Sequence, residues 1–129
     1  MDATRQQASG RINVASCDSK PYDESGDFII SEVSITEEFS GDLAGVGSVR
    51  FLMATELDGT AHFTGMERFL GEVGGRAGSF ILRNSGILKG GELNSTWQVI
   101  PGSGMQGLAG IRGEGGCNPD GYWLDYWFE

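Results

Sequence analysis

The segment Asp58-Gly59-Thr60-Ala61-His62-Phe63-Thr64-Gly65-Met66-Glu67-Arg68-Phe69-Leu70-Gly71-Glu72-Val73-Gly74-Gly75 decides the fold. It opens on Asp-Gly and closes on Gly-Gly, two dipeptides that favour tight hairpin turns. Between them Phe63, Gly65, Glu67, Phe69 and Gly71 fall on one face, and His62, Thr64, Met66, Arg68 and Leu70 on the other. Alternation with period two marks a strand with one face buried. The same punctuation continues along the chain at Lys89-Gly90-Gly91 and at Pro101-Gly102-Ser103-Gly104. The reading gives strands over Gly10–Cys17, Asp27–Phe39, Gly45–Leu57, Thr60–Glu72, Arg76–Leu88, Glu92–Ile100, Gln106–Gly113 and Tyr122–Glu129. No stretch of a dozen residues carries a 3.6-residue apolar period, so the class is all-β.

Sequential hairpins must dispose of their edges, and closure into a ring does so. The prediction is an eight-stranded antiparallel up-and-down barrel over residues 9–129, with residues 1–8 as an N-terminal tail or a lid. A barrel of this size has room for side chains or for one small ligand. A two-sheet sandwich is the alternative, but its crossovers need longer connections. Glycine supports closure: it supplies 22 of 129 residues, against a usual share of roughly 7 %. Many of these glycines interrupt strands, where they permit sharp bends and close backbone approach.

Eighteen acidic against nine basic side chains give a net charge of −9. Such a surface repels phosphate backbones and anionic lipid, so neither nucleic acid nor membrane is an expected partner. No apolar run is long enough to span a bilayer as a helix. The opening MDATRQQASG has no basic-then-apolar leader pattern, and a cytoplasmic protein is expected. Cys17, Cys117 and His62 do not form a zinc pattern, and acidic pairs such as Asp23-Glu24 and Glu37-Glu38 read as solvated surface rather than a calcium site. No metal is expected. The segment Gly102-Ser103-Gly104-Met105-Gln106-Gly107 matches G-x-G-x-x-G, but the glycines that follow cannot continue as the helix a nucleotide site needs. Closure would bring the first strand beside the eighth and make Cys17 and Cys117 neighbours, able to form a disulfide under oxidising conditions.

Period two assigns the lumen. Phe51, Met53, Phe63, Phe69 and Phe80 face inward with Glu67, Asn84 and Tyr126 as polar points, a make-up suited to a small-molecule pocket. A core filled by its own side chains remains the alternative. The sixth strand is ambiguous between Trp97 and Val99 on one face and Gln98 and Ile100 on the other. Glu67 is the sharpest candidate: a carboxyl on an aromatic face must be paired, for instance with Arg76 or Arg112, or hold a proton and serve as an acid or base. Exposed Trp123 and Trp127 would mark a contact surface.

The stretches from Gly59 to Phe69 and from Gly74 to Phe80, with Trp97-Gln98-Val99-Ile100-Pro101-Gly102-Ser103-Gly104, Leu108–Gly115 and Leu124-Asp125-Tyr126, resemble a family of uncharacterised bacterial proteins. That family is similar to the allene oxide cyclase barrel. The resemblance covers the chain after about residue 9. It implies an eight-stranded, often oligomeric barrel with a lumen open at one end. Plant allene oxide cyclases and bacterial spiro-forming [4+2] cyclases of natural product biosynthesis use such barrels without a cofactor. Cys17 stands where that pattern has tryptophan, and Met105 where it has threonine.

The resulting expectation is a cofactor-independent cyclase or isomerase, of the Diels-Alderase kind, folding an apolar polyene. Glu67 and Tyr126 would be its catalytic groups, and Phe51, Met53, Phe63, Phe69, Phe80, Asn84, Trp97 and Gln98 would bind its substrate. The competing reading is a non-catalytic barrel that carries a small hydrophobic molecule. A homo-oligomer is expected in either case.

Overall fold

A computed structural model describes residues 4–129. Its strands are β1 (Gln6–Asp23), β2 (Phe28–Gly41), β3 (Leu43–Glu56), β4 (Ala61–Val73), β5 (Arg76–Lys89), β6 (Glu92–Val99), β7 (Met105–Gln106), β8 (Ile111–Asn118) and β9 (Gly121–Phe128). All pair antiparallel in one sheet, and the pairing of β4 with β5 closes that sheet into a ring. Each ring strand pairs with the next in sequence, and β9 returns to β1. The short β7 is the exception, pairing only with Gly78 and Ser79 of β5.

Turn chemistry sets this register. Val73 pairs with Arg76 across Gly74 and Gly75, whose φ values are 56° and 83°. Two successive positive φ angles match the right-handed twist of the flanking strands, and glycine adopts them without steric cost. Gly90 and Gly91 do the same for β5 and β6, at 60° and 79°. At the β3–β4 turn, Asp58 Oδ1 accepts the Thr60 amide at 2.9 Å.

Two strands depart from the sequence expectation. β1 was predicted over Gly10–Cys17 but runs from Gln6 to Asp23. Of the predicted tail or lid, residues 1–3 lie outside the described residues, while Gln6–Ala8 already pair with β9 and Ala8 is buried. The predicted strand Gln106–Gly113 is instead the end of β7, a turn, and the start of β8. Gln106 and Gly110 take positive φ there, which turns the chain so that Leu108 is fully buried.

The ring is filled at one end and hollow at the other. At the end carrying the β4–β5 turn, Phe39, Leu43, Phe69, Val73, Phe80, Leu82, Val99, Leu108, Ile111, Leu124 and Tyr126 pack into one core. Phe39 lies at its centre, edge-on to Phe69 at 5.3 Å, to Tyr122 at 5.7 Å and to Trp97 at 6.0 Å. The Tyr122 hydroxyl accepts the Leu43 amide at 2.9 Å and donates to the Ser40 carbonyl at 2.8 Å, pinning the β2–β3 corner to β9. At the other end only Val33, Val49, Phe51 and Phe63 cluster, with Ile35 and Met53 beside them. β1 parts from β9 after Gly10, so no described strand pairs with its second edge from Arg11 to Asp23.

The outer face carries Val46, Leu52, Met66 and Leu70 in exposed positions on β3 and β4. Trp123 is 41 % exposed, whereas Trp127 is half-buried beneath the Arg5 guanidinium at 4.2 Å. Among the described residues no helix is long and apolar enough to cross a membrane.

The fold generates one stability prediction. Phe39→Ala removes a ring from the centre of the filled end and is expected to cost about 3–5 kcal/mol in urea unfolding. Leu57→Ser, at the exposed β3–β4 turn, is expected to stay within about 0.5 kcal/mol of wild type. Equal costs for the two would contradict this division into core and surface.

Candidate functional site

The hollow end holds a cavity of about 340 Å³. β1 contributes Ile12, Val14, Cys17 and Ser19; β2 contributes Val33, Ile35 and Glu37; β3 and β4 contribute Phe51, Met53 and Phe63. Asn84 and Leu88 of β5, Leu93, Ser95 and Trp97 of β6 and Cys117 of β8 complete the wall. Phe51 and Phe63 meet edge to face at 4.8 Å. The volume suits a small ligand, and the wall is mostly apolar with a few polar groups gathered at one place.

That place is built on Glu67, the central residue of β4. Its side chain is fully buried, and period two turns it inward between Phe63 and Phe69. Asn84 Nδ2 donates to Glu67 Oε1 at 3.4 Å. Glu67 Oε2 is buried with no donor. Among the described residues no Arg or Lys pairs with the carboxyl, which corrects the alternative of an ion pair with Arg76 or Arg112. Arg76 lies over the Phe128 ring at 4.0 Å, and Arg112 contacts Glu129 at 3.6 Å.

Glu37 faces Glu67 from β2 and lines the cavity. Burial pushes the Glu67 carboxyl up to about 10; a shared hydrogen bond with Glu37 and that neighbour's negative charge push in the same direction, and Asn84 opposes them. A protonated Glu67 resolves its orphaned oxygen, because an Oε2–H has the Glu37 carboxylate to donate to. Gly47 makes the arrangement sterically feasible. A Cβ there would collide with Glu67 Oε2 and with the Phe39 ring.

The structure gathers part of the predicted site and disperses the rest. Phe51, Met53, Phe63, Asn84 and Trp97 line the cavity, and Glu67 lies against Asn84 at its floor. Phe69 and Phe80 face inward as predicted but are fully buried in the filled end. Tyr126 also belongs to that end, where its hydroxyl donates to Gln6 Oε1 at 3.2 Å. Gln98 points outward, because Trp97 and Val99 take the inner face of β6; its Oε1 accepts from Arg83 at 3.0 Å. His62 lies on the outer face, 2.8 Å from Glu56.

Glu37 corrects the reading of Glu37-Glu38 as solvated surface. Val33, Ile35 and Phe39 share its parity on β2, and that alternation carried the signal. Cys17 and Cys117 line the same cavity as free thiols. Among the described residues no group of three His, Cys, Asp or Glu side chains is placed to hold a metal ion.

A closed antiparallel ring with a buried acid under an apolar cavity is the class these observations define. The chain belongs to the DUF3224 family, described as proteins of unknown function; the family model matches residues 8–129. It is similar to the crystal structure of a DUF3224 protein of unknown function from Shewanella oneidensis MR-1. The two share 22 % identity over 99 % of each chain, with a TM-score of 0.74. That likeness supports the fold. No curated protein matches the chain.

The buried acid generates a pH prediction. The folded chain holds the Glu67 proton up to about pH 10, whereas an ordinary glutamate releases it near 4.5. Between those values the folded state binds more protons than the unfolded state, so this group's contribution to stability falls as pH rises. Glu67→Gln has no proton to lose and keeps an oxygen for Asn84. It is expected to flatten the stability–pH curve and to exceed wild type by about 1–3 kcal/mol near pH 8 in urea unfolding, because wild type must take up a proton there on folding. Parallel curves for the two proteins would contradict the assignment.

Proposed function

We propose that the ring is an allene oxide cyclase-like barrel and that the protein binds a small hydrophobic molecule in its hollow end. The observation that carries this reading is the 340 Å³ cavity, walled by Val33, Phe51, Phe63, Leu88 and Trp97. A well-packed interior leaves few voids larger than a water molecule, so an apolar space of this size is a feature to be explained. Binding of an apolar body there removes its surface and that of the wall from water, at about 25 cal/mol per Å².

A second reading, cofactor-independent cyclisation or isomerisation, is favoured by one further observation. Glu67 and Glu37 form a carboxyl pair with a proton to offer beneath a mostly apolar cavity. An acid placed there polarises a carbonyl, while the walls hold a flexible polyene in its reactive shape. In this reading Glu67 supplies the proton, Glu37 accepts or returns it, and Asn84 orients the Glu67 head. Cytoplasmic residence fits the two free thiols. Self-association through the Val46, Leu52, Met66 and Leu70 face is the form of oligomer we propose.

Binding is tested by titrating the protein with the fluorescent apolar probe N-phenyl-1-naphthylamine. Wild type is expected to saturate at one probe per chain. Ser95→Phe, which fills the cavity from β6, is expected to weaken binding about tenfold or more with little change in thermal unfolding. Undiminished binding by the variant would overturn the site. The catalytic reading is tested on the same proteins with linear polyenes bearing a conjugated carbonyl: a product of unchanged mass and altered retention must form with wild type and fall with Glu67→Gln.

A further inference from the structure

The cavity floor offers an acid and an unserved amide oxygen with no cation on the wall beside them. Asn84 is more than nine-tenths buried, and its Oδ1 has no donor. Its Nδ2 gives one of its two N–H groups to Glu67. Glu37 lines the cavity and makes no ion pair among the described residues, and no Arg or Lys lines the cavity with it. Glu67 bridges the two, hydrogen-bonded to Asn84 on one side and facing Glu37 on the other. Among the described residues of the wall, the buried Trp97 Nε1 is a donor without a partner.

We infer, on the binding reading above, that the molecule this cavity is built for is an apolar amine, its ammonium standing between Glu37 and Asn84 and its hydrocarbon body against Phe51 and Phe63. An ammonium has three donors and no acceptor, which suits the Glu37 carboxyl and the unserved Asn84 Oδ1. Its charge meets the carboxylate of Glu37 in a setting drier than the surface, where such a pair is stronger than in water. The aromatic walls add attraction for a cation through the faces of their rings.

The other head groups fit less well. A carboxylate would add a second negative charge beside Glu37, and Arg11, which shares an adjoining pocket with that acid, lies outside the cavity wall. An alcohol supplies one donor to Asn84 but leaves the Glu37 charge uncompensated. The net charge of −9 adds a long-range field in the same direction, drawing cations toward the chain.

The test is isothermal titration of the full chain with three probes that share an octyl body: octylamine, 1-octanol and octanoate, at pH 7. Octylammonium is expected to bind about tenfold more tightly than octanol, with octanoate weakest. Glu37→Gln is expected to bring octylamine down to the level of octanol and leave octanol unchanged, while Glu32→Gln on the outer face changes neither. Octanol binding with no preference for the amine, or a preference that survives Glu37→Gln, would overturn the amine assignment and leave the binding reading standing. Binding of none of the three would overturn both. The wild-type series decides the matter by itself should Glu37→Gln fail to fold.

Discussion

A carboxyl group buried in an aromatic interior can be stabilised by a cation, by donors to both oxygens, or by keeping its proton. Among the described residues Glu67 has no cation and one donor, and its neighbour on β2, one strand away across β3, is another acid. The proton is therefore part of the structure. It supplies the hydrogen that Oε2 otherwise lacks, and it lets Glu37 and Glu67 share a space that two negative charges would not. The absence of a side chain at Gly47 and the amide of Asn84 are the local accommodations to that one buried group.

The position of Glu67 also divides the ring. Below it, aromatic and branched side chains from seven ring strands and the buried Leu108 leave no sizeable space. Above it the strands continue, but β1 has lost its partner β9 and the opposing wall at Ser95 and Cys117 is built from small residues. Volume is not replaced where the ring stays open, and a cavity remains. A wholly hollow cylinder and a wholly plugged one are both incorrect descriptions: the filled half supplies rigidity and the open half supplies space.

The legible part of the fold was the part with one face buried. β3, β4 and β5 alternate cleanly, and their inward residues, Glu67 and Asn84 included, are inward in the structure. Gly74-Gly75 and Gly90-Gly91 fixed two turns because only positive φ fits there. β1 beyond Cys17 carried no signal, since both of its faces are exposed and alternation requires a buried side. β8 was misplaced: the predicted strand stopped at Gly113, whereas Gly113, Gly115 and Gly116 all lie within β8. They are strand residues whose missing side chains let Leu124, Tyr126 and Trp123 pack against them.

In the site, period two assigned faces but not heights. Phe69 and Phe80 were correctly inward and yet fell in the filled half, as did Tyr126. Height depends on where the ring opens, a property of long-range pairing that no single strand records. Glu37 was hidden by Glu38, because a pair of acids reads as surface unless the flanking Ile35 and Phe39 are weighed against it. The central claim is that the Glu67 carboxyl is protonated in the folded protein at neutral pH. Carbon-detected NMR of the glutamate side-chain carboxyls, with Glu67→Gln for assignment, observes this directly. The account predicts a protonated carboxyl at pH 7 that titrates only far above the usual carboxylate range, and a Glu67 signal that titrates near pH ~4.3 like a free glutamate would contradict it.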